Sequence, residues 1–321
     1  MVQLPHDEGA HNNDLEWWYF NGHLATENGQ EFSYHYVTFQ SILPPGLTSR
    51  LAQLSLADHT NGQHLIHEEA AFTMDERKSG EFDVPVGDLR MSGNGEVYNL
   101  KFETGDYSVE LEAVSQRPPV LHYGTGLVDL GIAGKTYYYS RTRLQTSGTV
   151  SVAGVPHTVT GLSWMDHQWG DFTTLNIGWD WLSLNLDDGS DLTISVVWER
   201  ESRKPIDSYG TYVPPDSPAI HLPGSDISLG STGSWTSPTN GAVYPMNWNL
   251  RVESLGLDLT LTPSSEEAEF TLTGFVPIIY WEGSIQAKGT RDGAPVAGHG
   301  FVEMVGYAAI PELPTASSTQ P

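Results

Sequence analysis

Gly161-Leu-Ser-Trp-Met-Asp-His-Gln-Trp-Gly-Asp-Phe172 gathers two Trp, two Asp, a His and a Gln, with glycines at Gly161 and Gly170. Side chains along a strand alternate between faces. Read as a strand, this stretch sets Trp164, Asp166 and Gln168 on one side and Met165, His167 and Trp169 on the other. Each side couples an aromatic plate to a polar group, which suits the wall of an apolar ligand site with one or two placed polar atoms. The same pattern fits a core in which both Trp are buried and Asp166 and His167 satisfy a turn.

Downstream, Ile177-Gly-Trp-Asp-Trp-Leu-Ser-Leu-Asn-Leu-Asp-Asp-Gly-Ser-Asp-Leu-Thr-Ile-Ser-Val-Val-Trp198 reads as a hairpin about Asp187-Asp188-Gly189. On its first arm Asp180 alternates with Leu182, Leu184 and Leu186, while Trp179 and Trp181 face the other way. An acid on an apolar face has its pKa pushed up, which makes Asp180 a candidate proton donor or a strand-end acid reaching solvent. Upstream, residues 1–14 read as a polar extended arm. Glu16-Trp-Trp-Tyr-Phe20 and Glu31–Gln40 read as the first hairpin, with Glu16, Trp18 and Phe20 on one face and Tyr34 among alternating aromatics on its return strand. Tyr137-Tyr-Tyr-Ser-Arg-Thr-Arg143 is a further aromatic strand; regular alternation would put Arg141 and Arg143 on one face, as surface pairs worth little. Hairpins also follow about Ala153-Gly154 and Arg291-Asp292-Gly293.

Among 321 residues, 33 Gly and 20 Pro, with 11% aromatics, favour many strands and turns, and no long run of helix formers interrupts them. The expectation is an all-β chain of two similar halves, 1–172 and 173–310, with a disordered tail over 311–321. A formal net charge of -25 argues against binding nucleic acid or anionic lipid. With no Cys, disulfides, thiolate nucleophiles and Cys-ligated metal are excluded. No apolar run reaches the ~18 residues of a membrane span. No basic-then-apolar leader opens the chain, which leaves both the cytoplasm and export after leader removal open.

Three stretches carry a family resemblance: Glu16-Trp-Trp-Tyr-Phe-Asn-Gly-His23, Trp164-Met-Asp-His-Gln-Trp-Gly170, and Tyr280-Trp-Glu-Gly283 with Gly300-Phe-Val-Glu-Met-Val-Gly-Tyr307. Together with Tyr137–Arg141, they make the chain resemble the AttH/CrtC-like family. That family includes carotenoid 1,2-hydratases, lipocalin-like pericyclases and kievitone-hydratase-like enzymes. The resemblance implies two lipocalin-like antiparallel β-barrel halves with a pocket at or between them. In the hydratase branch a His and a Trp two residues apart are implicated, and His167 and Trp169 match that pair. The branch also uses a Tyr and an acid on a later strand. Here that strand reads Ile194-Ser-Val-Val-Trp198, without the Tyr-x-Asp, and Asp180 is the nearest replacement.

The function expected is cofactor-independent, acid-initiated protonation of an alkene in an isoprenoid or polyene, followed by hydration or cyclisation. Asp180, His167 and Asp166 are the candidate catalytic groups. Trp169, Trp179, Trp181, Tyr34, Glu16, Trp18, Tyr138 and Tyr280 are the candidate wall, where ring faces steady a cation by about 0.5–2 kcal/mol each. A pericyclase, needing only shape and hydrogen bonds, and a lipocalin-like binding protein are the alternatives. No metal is expected, since the HxxH spacing of His64 and His67 lacks a third ligand. Hydrolysis lacks a Gly-x-Ser-x-Gly elbow.

Overall fold

The turns fall where the Gly-containing pairs predict them. Ala153 and Gly154 (φ 51° and 75°) link Val152 to Val155, and Asp292 and Gly293 (φ 48° and 81°) link Arg291 to Ala294. Two consecutive positive φ values make the tight hairpin turn whose twist matches its strands. These elements come from a computed structural model that describes residues 1–43, 46–74, 80–105, 107–271 and 279–310. The expected disordered tail, 311–321, lies outside the described residues.

Among the described residues, the strands form two antiparallel sheets. The first has twelve strands. Its spatial order is Gln63–Thr73, Leu47–Asp58, Glu31–Leu43, Leu15–Ala25, Val155–Gly170, Lys135–Val152, Tyr107–Ser115, Val97–Thr104, Leu89–Gly93 and Phe82–Val86, with two short strands on Lys135–Val152. The second has ten. It runs Ile220–Pro223, Pro205–Val213, Asp191–Glu199, Ile177–Leu186, Ala294–Val305, Ile279–Arg291, Leu257–Pro263, Val243–Val252 and Ile227–Thr236, with Glu269–Thr271 on Ile279–Arg291. In each sheet the outer strands curl back into contact, giving two near-closed barrels. Rings fill the first, among them Trp18, Phe20, Tyr36, Tyr98 and Phe102. The second is filled by Leu182, Leu184, Met246, Trp281 and Met304.

The convex outer walls of these barrels pack on each other. Tyr19, Val37 and Trp164 of the first meet Trp181 and Phe301 of the second, with Trp17, Phe39 and Trp179 around them. Strands at this seam are covered on both faces. That explains why their sequences carry large residues at odd and even positions alike.

Two expectations are corrected. Register slips between Arg141 and Leu144, so Arg141 and Arg143 part company. Arg141 turns into the first barrel, with Nη2 2.6 Å from Glu8 Oε1, and Arg143 crosses the seam to Asp191. Neither is a surface pair. The arm is not simply extended either: a 3-10 turn over His6–Glu8 folds it back, and Glu8 is 1% exposed.

Candidate functional site

Antiparallel register decides which side chains meet at the seam. Trp17 and Tyr19 lie opposite Gln168 and Asp166 on one neighbour, and opposite Phe39 and Val37 on the other. In the second sheet Trp179 lies opposite Val305, Trp181 opposite Glu303, and Glu303 opposite Glu282. These two faces enclose a cavity of about 150 Å³, walled mostly by Trp17, Val37, Phe39, Trp179, Trp181 and Val305 and reaching the exposed rim residues Leu175 and Ile310. A cavity of that order accepts a benzene-sized apolar group.

Asp166 and Glu303 line this apolar space. Asp166 accepts hydrogen bonds from Tyr138 Oη at 2.7 Å, Trp164 Nε1 at 2.7 Å and Ser140 Oγ. Burial pushes its carboxyl up to about 6, with those three donors pulling the other way. Glu303 takes a bond from Trp179 Nε1 at 2.9 Å. Burial and then the Asp166 charge push it up to about 7. Behind them, Glu282 accepts from Tyr19 Oη at 2.8 Å, and burial followed by the Glu303 charge holds it well above the usual carboxylate range. The seam thus collects carboxyls from three strands, each carried by a different aromatic donor.

Two more polar groups shape the site. Trp181 Nε1 donates to Tyr138 Oη at 3.0 Å, tying the second sheet to the Asp166 cluster. His35 lines the cavity fully buried, and neither ring nitrogen finds a hydrogen-bond partner among the described residues. Burial lowers its pKa to about 3, so it stays neutral. A ligand hydroxyl or carbonyl would satisfy it.

The predicted residues separate into three places. Asp166, Tyr138, Trp179, Trp181 and Tyr280 line the cavity. Glu16, Trp18, Tyr34, His167 and Trp169 project from the opposite faces of their strands into the first barrel, and all are buried there. Tyr34 Oη pairs with Ser163 Oγ at 2.7 Å, and His167 Nε2 lies 2.8 Å from Glu16 Oε1. Asp180 points with the leucines into the second barrel, where Tyr307 Oη donates to both its oxygens at 2.9 and 3.1 Å. Asp180 and His167 were expected to serve one pocket; that is corrected, because each occupies a separate barrel interior. Glu303 and Glu282 were missed, although Glu303 shows the signature used for Asp180. Glu303 alternates with Phe301 and Val305, an acid on an apolar face.

Ser140 Oγ also lies 2.8 Å from His122 Nε2. Its proton is committed to Asp166, and both Ser140 and His122 are fully buried. The pair therefore orders Asp166 and is not a hydrolytic nucleophile and base.

Burial holds Asp180 at about 7 when folded, against 3.8 for an ordinary Asp. A raised carboxyl pKa leaves stability intact below about 4 and removes it as pH climbs through 7. Asp180→Asn should therefore gain roughly 1–3 kcal/mol at pH 8 and nothing at pH 4, read by urea denaturation at the two pH values. Equal effects at both would contradict the buried-acid account.

The sequence model of the AttH-like proteins aligns with residues 1–307. The chain belongs to the AttH-like family. No curated protein sequence matches it. Among solved structures, this AttH-like chain superposes on a Nitrosomonas europaea protein assigned as AttH with a TM-score of 0.86, at 27% identity over 96% of this chain and 97% of that one. Kievitone hydratase from Nectria haematococca gives 0.79 at 18% identity, covering 95% and 92%. CghA gives 0.58 at 10% identity, covering 92% and 89%. The last two likenesses establish a shared fold.

Proposed function

We propose that this AttH-like protein is a cofactor-independent hydratase of an alkene carried on an apolar, prenyl-sized group. The observation that carries the reading is Glu303, an acid held protonated near neutrality on the wall of an aromatic cavity. Kievitone hydratase, a hydratase by name, shares the fold. Protonating an alkene carbon requires a neutral acid facing apolar space. The Glu303 carboxyl gives that proton, and the rings of Trp17, Trp179 and Trp181 steady the cation by about 0.5–2 kcal/mol each. Water adds to the cation and loses its second proton to Asp166. Return of that proton to Glu303 closes the cycle, and the net change is alkene plus water to alcohol.

The two carboxyls must be in opposite states, Asp166 ionised and Glu303 protonated. With pKa values of about 6 and about 7, kcat/KM should rise as pH climbs through 6 and fall as it passes 7. The expected profile is a narrow bell whose limbs belong to the pair. The test is incubation with prenylated aromatics and compact terpenoids in ¹⁸O-labelled water. An alcohol carrying the label supports hydration. Unlabelled isomers point to cyclisation or pericyclic chemistry, and tight binding without product to a carrier.

A further inference from the structure

Inside the first barrel, away from the seam cavity, two imidazoles converge on one carboxylate oxygen. His11 Nδ1 lies 2.7 Å and His167 Nε2 2.8 Å from Glu16 Oε1, and the three ligand atoms fall within 4.8 Å of one another. Glu16 and His167 are fully buried. We propose that His11, Glu16 and His167 form a binding site for a borderline divalent cation of the zinc class, which pins the N-terminal arm into the barrel mouth.

The hydrogen-bond directions around His167 argue for a cation. Glu8 is the sink for that corner: Arg141 Nη2 donates to it at 2.6 Å, and Tyr98 Oη and Tyr139 Oη donate at 3.0 and 2.9 Å. The single proton of Tyr139 is thus committed to Glu8, so its oxygen is an acceptor toward His167 Nδ1, 3.3 Å away. Nδ1 therefore carries hydrogen. A neutral imidazole holds one proton. Nε2 then presents a bare lone pair to Glu16. Two lone pairs facing each other at 2.8 Å repel unless a positive charge sits between them.

The surroundings match what a metal site requires beyond its ligands. The remote nitrogen of each ring has a partner, Tyr139 Oη for His167 and Asp7 Oδ1, at 3.6 Å, for His11. Such partners fix ring orientation and raise ligand basicity. Gln40 Nε2 and the His11 backbone N–H hold Glu16 Oε2 at 3.0 and 2.8 Å. Trp169 stacks on His11 with the rings 4.1 Å apart and 2° from parallel. Two nitrogens and one oxygen suit zinc, and three protein ligands leave a fourth position open. Tetrahedral ligands at about 2.0–2.1 Å from zinc stand roughly 3.3 Å apart, so the His11–Glu16 and His167–Glu16 contacts, 2.7 and 2.8 Å, both have to open by about half an ångström. His11 sits on the arm, where such a shift is cheap, and the Glu16 side chain supplies the other.

The test uses the untagged full chain, stripped with chelator and titrated with Co²⁺ and then Zn²⁺. One Co²⁺ per chain should bind with a visible d–d band that Zn²⁺ abolishes. His11→Ala, on the arm and outside the sheets, should remain folded by circular dichroism and lose the band. Asp7→Asn should weaken binding by about 10–100-fold. No saturable binding by the wild-type chain, or equal binding by His11→Ala, would overturn the site and leave a proton-shared His–Glu–His cluster.

Discussion

Glu303→Gln should lower kcat by at least about 10²-fold, the usual worth of a positioned general acid, with ligand affinity changed little. That loss is about 2.7 kcal/mol of barrier. The substitution isolates the proton. A Gln carbonyl still accepts the Trp179 Nε1 hydrogen bond that now falls on Glu303 Oε1, and its volume is nearly the same. Only the transferable hydrogen is gone. Asp180→Asn serves as the control, because Asp180 faces the interior of the second barrel, away from the cavity, and its bonds go to Tyr307. A reaction driven by shape alone would respond in the opposite order, with Glu303→Gln mild and truncation of Trp179 or Trp181 severe. Single-turnover rates with a bound alkene check the prediction, and a fall of less than about threefold in Glu303→Gln would remove this carboxyl from the chemistry.

Alternation in the sequence sorted two seam strands into their faces correctly: Trp164, Asp166 and Gln168 part from Met165, His167 and Trp169, and Asp180 parts from Trp179. Alternation cannot say which face looks at the ligand. In a half-exposed strand the polar face marks solvent and settles the matter. Here each seam strand has a barrel interior on one side and the other barrel's wall on the second, so both faces are aromatic and both hold buried acids. His167 and Trp169 match the pair that the family resemblance implicates, yet the polar groups on the cavity side of the same strand are Asp166 and Gln168. Glu303 was legible by the rule applied to Asp180. The leucines around Asp180 made a louder apolar face than Phe301 and Val305 do around Glu303. Other features had no local signal. Glu8 finds Arg141 across 133 residues of chain, and the slip between Arg141 and Leu144 falls inside a run whose composition marks no bulge.

The second large effect is expected at Asp191, fully buried on the second sheet. It accepts from Arg117 Nη1 at 2.8 Å, Arg143 Nη2 at 2.7 Å and Thr142 Oγ1 at 2.9 Å, all on the other side of the seam, and from Asn185 Nδ2 at 2.7 Å. Asp191→Ala should destabilise the chain by about 3–5 kcal/mol, because it strands two nearly buried guanidiniums without a counter-charge. The loss should fall on the seam first. Each barrel keeps its own ladder and interior, whereas the walls between them lose their main ionic tie. Urea unfolding followed by Trp fluorescence, to which all ten Trp contribute, should shift to lower midpoint, and proteolysis should reach the 171–176 connection earlier. Asp191 is not part of the cavity wall. If Asp191→Ala nevertheless weakens ligand binding while Asp180→Asn does not, the ligand is read by the fit of one barrel against the other. Unchanged affinity in a clearly destabilised Asp191→Ala protein would mean that a single sheet holds the ligand alone.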